Sequence, residues 1–404
     1  MVGSRRLEGA VRVPSILISG ASIAGPALAH WLGARGWATT VVERFDRVRD
    51  EGQNIDVRGV GREVLRRMGV EEAVRAEHTT ELGLRFVDER GAAVAEFPAA
   101  QGDGRDSATA ELEILRGRLS AVLHAHTPGT EYVFGDQITS LDQDEDGVTA
   151  GFASGGRRRF DVVAIAEGLH SRTRRLAFPG DHVRELDMYA AYLTIPRTAD
   201  DDRWWYWHQC GRRRSAMLRP DNLGTTRAML FFLSETRGLD DLDPSARTHV
   251  LRRTFADARW EVPRILDALD SAPTYFESVG QARLPRWSDN RVVLVGDAAH
   301  CASPISGMST TLALTGAYVL GNELATAPDH RTALANYERL LRPFVDRAQK
   351  LPPGTPRLAN PQGRRELTAL RGALRLVAGV QRFAPSLPAA TPADKFTLPD
   401  YPAA

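Results

Sequence analysis

The sequence predicts an α/β chain with a β-sheet domain inserted into its first domain and a helix at its C-terminal end. Three observations carry this prediction. A short apolar strand ends in a glycine loop and runs into an Ala- and Leu-rich helix near the start. Aromatic residues gather in strand-like segments between residues 188 and 281, and strand followed by helix returns after residue 292.

Taken in order, Ser15-Ile16-Leu17-Ile18-Ser19 reads as the first strand, Ile23 to Arg35 as a helix and Thr39 to Val42 as the second strand. This is a Rossmann-like βαβ start of about 30 residues, which places a helix N-terminus at the carboxyl end of a strand. Leu112, Leu115, Leu119 and Leu123 recur at helical spacing and predict a helix. Strands follow at Ile138 to Leu141, Val148 to Phe152 and Val162 to Ala166, the first two joined by the turn Asp144-Glu145-Asp146-Gly147. From Met188 to Gln281 the aromatics Trp204, Trp205, Tyr206, Trp207, Phe231 and Phe232 mark a sheet layer, with a helical interruption near Leu251 to Leu269. Val292 to Val295 returns to strand and the segment after Thr310 to helix. The first domain is therefore expected to be discontinuous, over 1–80, 105–180 and 284–350, with the inserted domain at 81–104 and 181–283. Residues 351–404 hold the C-terminal helix, whose stripe Leu367, Leu370, Leu374 and Val377 suits packing.

Composition narrows the function. A chain of 404 residues exceeds the ~250–300 at which single cores stop growing. With 52 basic and 51 acidic residues the net charge is +1, so neither nucleic acid nor a membrane is an expected partner. Cys210 and Cys301 are the only cysteines, too few for a disulfide framework and without CxxC spacing, so no metal site and a reducing, cytoplasmic setting are expected. Met1 to Val13 lacks a signal-type apolar run, and no segment approaches the ~20 apolar residues of a membrane span. A soluble monomer or homodimer acting on a small molecule is the expectation.

The residues that carry chemistry begin with Gly20-Ala21-Ser22-Ile23-Ala24-Gly25, between the first strand and its helix, where free N–H groups and the helix dipole can hold a pyrophosphate. Ser22 replaces the second glycine of G-x-G-x-x-G and can itself donate to phosphate. Glu43, 18 residues beyond Gly25 at the end of the second strand, can accept ribose hydroxyls, which makes the loop a dinucleotide site. A second group lies in Arg291-Val-Val-Leu-Val-Gly-Asp-Ala-Ala-His300 and continues through Pro304 and Gly307. There a strand ends in Gly296-Asp297, a carboxylate at a sheet's carboxyl edge, and the loop to Thr311 opens another helix whose amides can face an anionic ligand.

These stretches, with Glu43-Arg44, Gly52 to Gly59, Arg116 and Ala166-Glu167-Gly168, resemble the group A flavoprotein monooxygenases of the para-hydroxybenzoate hydroxylase fold, the tetracycline-inactivating branch especially. The resemblance implies FAD, with Glu43 on the adenosine ribose, Arg44 and Arg116 along the diphosphate and ribityl chain, and Asp297 on the ribityl or diphosphate region. It sets Pro304 and Gly307 beside the isoalloxazine ring and Arg58 at the flavin or substrate edge. It further implies NADPH or NADH as a transient reductant, O2 as cosubstrate, and a flavin C4a-hydroperoxide that oxidises a bulky aromatic or polyketide-like molecule in secondary metabolism or antibiotic modification. Only one dinucleotide fingerprint is present, so the nicotinamide is expected to bind across the cleft. Two positions depart from the family: Glu167 stands where Asp is usual, and Ser309 where a second glycine is usual. Both leave open a flavin-dependent dehydrogenase or reductase on the same fold, and a non-catalytic ligand-binding protein is the reading from another class. Halogenation is disfavoured, because Trp205-Tyr206-Trp207 continues as His208-Gln209-Cys210 and not as the W-x-W-x-I-P of flavin halogenases. Of the histidines, His300 suits a structural role, while His208, with Tyr206 and Pro304, is a candidate for the substrate pocket.

Overall fold

The strand Ser15–Ser19 is buried along nearly its whole length because parallel neighbours flank it on both sides, which is why it reads as an unbroken apolar run. In the computed structural model, which describes residues 12–49, 52–99, 112–180, 182–383 and 392–402, it lies inside a six-stranded sheet. Across that sheet the order is Ser288–Asp289, Val292–Leu294, Val162–Ile165, Ser15–Ser19, Ala38–Glu43 and Glu131–Phe134, with only the first pair antiparallel. The helix Ala24–Ala34 packs on this sheet and on the long, almost wholly buried helix Ser309–Thr326. Gly321 permits that approach: a β-carbon there would meet Trp31 Cβ at 2.7 Å.

A seven-stranded sheet forms the second layer, in the order Thr274–Ala282, Val183–Pro196, Thr225–Leu233, Arg214–Pro220, Trp205–Gly211, Gly83–Val87 and Ala93–Pro98. Period-two alternation gives it two distinct faces. On one, Leu218, Leu230 and Phe232 pack against Leu251, Phe255, Val262 and Ile265 of the helices Pro244–Phe255 and Val262–Ala268. The other carries Met188, Tyr192, Met217, Met229, Phe231, Trp205 and Trp207, and is met by Ile305 from the loop after Asp297.

The structure corrects two sequence expectations. The leucine stripe from Leu112 is not one helix. Leu112–Leu115 is a buried strand paired antiparallel with Asn54–Val57, and the helix begins only at Arg116, running to Ala125. Leu112 and Leu115 satisfy helical spacing by coincidence, and the strand partner that decides the matter lies more than 50 residues away. In the C-terminal helix Arg364–Phe383, Leu374 and Ala378 dock on Leu84, Phe86 and Phe97, whereas Val377 is half exposed.

Charge, besides apolar contact, joins the layers. Arg219, on the inserted sheet, contacts Glu81 at 3.0 Å, Glu113 at 3.0 Å and Asp56 at 3.5 Å, and Asp56 pairs with Arg58 at 2.6 Å. All five side chains are buried or nearly so. Three carboxyls share two guanidinium groups. Burial and the neighbouring Glu113 carboxylate push the Glu81 pKa up against the pull of Arg219. Among the described residues no helix is long and apolar enough to cross a membrane.

Candidate functional site

Two close approaches explain the glycines of the first loop. A β-carbon on Gly20, whose φ is +111°, would stand 2.6 Å from the Ala166 carbonyl oxygen, and one on Gly25 would stand 1.9 Å from the carbonyl oxygen of Gly20. The turn can therefore close only without side chains at both ends, leaving Ser22, Ile23 and Ala24 to lead into the helix at the sheet's carboxyl edge. Glu43, at the end of the neighbouring strand, turns back toward this loop: its carboxylate accepts the Ala21 N–H at 2.8 Å and the Phe45 N–H at 3.1 Å. Together Ala21, Ser22, Glu43, Arg47, Arg49 and Arg116 line one pocket. Arg44 lies over the Phe45 ring at 4.9 Å and Arg49 over the same ring at 4.2 Å. Burial, and then the like charge of Arg116, lowers the Arg49 pKa, the mark of a crowded cationic pocket. Such a pocket complements an anion.

The second group converges from the far end of the sheet. Gly296 has φ +65°, and a β-carbon on it would meet Ala24 Cβ at 2.8 Å, so the turn that delivers Asp297 is pressed against the first helix. Asp297 Oδ1 is buried and has no hydrogen-bond partner. Burial raises its pKa, partly offset by the Ser309 hydroxyl, the Cys301 thiol and the charge of Arg116. Ser309 thus stands beside Asp297, with its Oγ 3.9 Å from Cys301 Sγ. Pro304 is exposed on the next turn, Gly307 has φ +63°, and a β-carbon there would lie 3.9 Å from Arg58 Nε. The Arg58 backbone N–H donates to Thr311 Oγ1 at 3.2 Å, bringing Arg58 to the same loop. A pair of buried amides fixes it from below. Gln281 Nε2 donates to the Ala302 carbonyl at 3.1 Å and Gln349 Nε2 to the Cys301 carbonyl at 3.0 Å.

These residues fit FAD. The orphaned Asp297 oxygen calls for a hydroxyl donor such as the ribityl chain carries, Glu43 suits a ribose, and the arginine pocket with its side-chain-free turn suits a diphosphate. The FAD binding domain family matches residues 14–350. A flavin-dependent monooxygenase, eupH, of Phoma sp is 33% identical over 429 residues, spanning 96% of this chain and 97% of that protein. The chain belongs to the FAD-dependent monooxygenases. An uncharacterized protein of Mycobacterium tuberculosis is 38% identical over 342 residues, 83% of this chain and 92% of that one. The crystal structure of tetracycline destructase Tet(55) superposes with a TM-score of 0.80 at 31% identity, covering 96% of this chain and 99% of that chain.

In this monooxygenase Glu167 bonds within the loop that carries it. Its carboxylate accepts from Ser171 Oγ at 2.7 Å and the Thr173 N–H at 3.1 Å, and also from the hydroxyls of Ser19 and Thr173. The side chain is spent on holding its own loop against the first strand. Tyr206 and His208, the substrate-pocket candidates read from the sequence, lie together on one face of the inserted sheet. Strand alternation turns both toward Trp260 on the helix-covered face; His208 contacts the Val87 carbonyl through Nδ1 at 3.2 Å, and the Tyr206 hydroxyl bonds Arg85 and Asp202. It is Trp205 and Trp207 that share the face met by Ile305. His300 is fully buried, 3.3 Å from the Tyr337 hydroxyl and edge-on to Trp287, and burial pushes its pKa down to about 3, so it stays neutral as a packing residue. Sequence reasoning missed Arg49, Tyr192, Tyr275 and Glu277. Arg49 was legible as one more arginine beside Arg44; the other three lack any local motif.

Proposed function

We propose that this monooxygenase takes electrons from NADPH or NADH and transfers one oxygen atom of O2 to a bulky, planar aromatic or polyketide-like molecule bound on the inner face of the inserted sheet. The observation that carries the reading is the composition of that face. Trp205 and Trp207 stack at 5.8 Å and 15°, and Met217, Met229, Tyr192 and Phe231 continue the surface across successive strands. Indole, phenyl and thioether groups make a soft surface for a flat ring system. Buried polar atoms without partners, Trp205 Nε1, Trp207 Nε1, Tyr192 Oη and Ser215 Oγ, stand ready to orient its oxygens.

FAD supplies the redox chemistry when bound. The protein's part is to hold the diphosphate at Ser22, Arg49 and Arg116, to tie the ribityl chain to Asp297, and to set the 304–307 loop against the substrate face through Ile305. The likeness to a tetracycline destructase and to a monooxygenase of a fungus supports a secondary metabolite or antibiotic as substrate. The described residues contain one dinucleotide loop, which favours a nicotinamide that binds transiently across the cleft. The deciding experiment screens tetracyclines and other aromatic polyketides for substrate-stimulated NADPH oxidation under 18O2. A product heavier by one labelled oxygen is expected. NADPH consumption without label in any product would sink the oxygen-transfer reading in favour of a dehydrogenase or reductase.

A further inference from the structure

Glu277 stands where the proposed substrate face meets Arg116 and Asp297 of the flavin cradle. It lies on Thr274–Ala282 directly opposite Ala190, which places it on the same face as Tyr192, Met229 and Met217. Tyr275 pairs opposite Tyr192, their rings 6.0 Å apart, and the Tyr275 hydroxyl donates to Glu277 Oε2 at 2.7 Å. Around Glu277 the titratable and charged groups are Tyr192 from the adjoining strand, Tyr275 from its own, Arg116 from the helix that starts beside the arginine pocket, His170 from the loop after Val162–Ile165, and Asp297. Arg49 reaches the cluster through Tyr275. No cation among the described residues forms a salt bridge with Glu277, in contrast to Glu81 and Glu113, which share Arg219. It is a half-buried carboxyl bonded by the Tyr275 phenol, with the Tyr192 phenol nearby, between Asp297 on the cofactor side and the aromatic surface on the other.

We propose that Glu277 is the proton acceptor of this site: it takes the proton of a substrate phenol or enol, while the Tyr275 hydroxyl holds its carboxylate in place. The substrate O–H bond breaks and the proton forms an O–H bond on Glu277. The electron pair stays on the substrate oxygen and delocalises into the ring, making the carbon that receives oxygen more nucleophilic. The proton returns to the product or leaves to water through the cleft. Burial raises the proton affinity of Glu277, which brings an ordinary carboxylate closer to the range where it can both accept and release a proton. The inference rests on the monooxygenase reading of the face and names the group that activates its substrate.

The test uses FAD-loaded protein without substrate and follows the infrared carbonyl band of protonated carboxyls, with the visible flavin spectrum, across a pH titration. Wild type should show a band that fades as pH rises, accompanied by a small flavin shift from the charge that appears beside the cradle. Glu277→Gln should remove both, and Glu277→Asp should keep them at a displaced midpoint. Tyr275→Phe deletes a donor to the carboxylate and should raise the midpoint by roughly half to one pH unit. With a phenolic or enolic substrate from the labelling screen, Glu277→Gln should lower kcat roughly a hundredfold. A band and flavin shift unchanged in Glu277→Gln, or an unmoved midpoint in Tyr275→Phe, would overturn the proposal. Absence of 18O from every product overturns the monooxygenase reading instead, whatever the infrared result.

Discussion

Replacing Asp297 by Ala should have opposite effects on the empty and the loaded protein. In the folded chain Oδ1 is buried without a donor, and burial holds the carboxyl's proton more tightly than in the unfolded chain. An unsatisfied buried acceptor costs about 1–3 kcal/mol, and removing it offsets the small cavity the substitution leaves. Apo Asp297→Ala should therefore melt at or slightly above the wild-type temperature. A raised folded pKa means that wild-type apo stability is fully present below the unfolded carboxyl range, near pH ~3.9, and declines as pH rises through the folded value. The advantage of the variant should accordingly be smallest in acid and grow toward neutral pH. FAD reverses the order, because a hydroxyl donated to a charged acceptor contributes about 1.5–3 kcal/mol, or roughly a ten- to hundredfold weaker Kd on its loss. Differential scanning fluorimetry of apoprotein across pH, paired with FAD titration by flavin-fluorescence quenching, reads both quantities. Equal FAD affinity in variant and wild type, or an apo variant that melts well below wild type at neutral pH, would refute the assignment.

Other substitutions separate neighbouring roles. Gly25→Ala would set a β-carbon 1.9 Å from the Gly20 carbonyl oxygen, which must retreat by about 1.5 Å to reach ordinary contact, so flavin retention should fall at least tenfold; a yellow variant with wild-type affinity would show the loop to be slack. Glu167→Ala should act on stability first, by about 1–3 kcal/mol in urea unfolding, since its carboxylate bonds Ser19, Ser171 and Thr173; a normal unfolding midpoint with lost FAD would restore it to the cofactor site. Trp207→Phe should weaken substrate binding while His208→Ala leaves KM within a factor of two, and the reverse pattern would put the substrate on the helix-covered face. His300, with a pKa near 3, should contribute no ionisation to any activity profile above pH ~5; a limb that vanishes in His300→Gln would contradict that.

What the sequence revealed and what it hid divide by range. Gly20, Gly25 and Glu43 stand within one βαβ unit, so their spacing is legible as a dinucleotide signature, and Asp297 is found from the strand Val292–Leu294 just before it. The three-dimensional neighbours of a side chain are not so legible. Alternation told that Trp205 and Trp207 oppose Tyr206 and His208, but which pair faces the cofactor depends on the helices Pro244–Phe255 and Val262–Ala268 covering one side of the sheet. Glu167 kept the charge of its motif while its longer arm reached Ser19 and Thr173. Glu277 and Tyr192 sit on strands 85 residues apart in the chain and meet only because those strands pair. Leu112–Leu115 failed for the same cause, a partner strand remote in sequence.

The Arg219 cluster also bears on how this chain could be recombined with its relatives. Asp56, Arg58 and Glu113 come with the cofactor portion, while Arg219 arrives on the inserted sheet, stacked 4.1 Å over Trp205. A chimaera that imports the inserted segments alone, from a relative with an uncharged residue at 219, leaves Asp56 and Glu113 against the single remaining guanidinium of Arg58. Breaking such a buried pair costs about 3–5 kcal/mol, a large fraction of a typical domain's whole stability. Exchange of the inserted sheet in this scaffold is therefore constrained by charge at the seam, and crossovers are favoured where both parental halves bring matching charge.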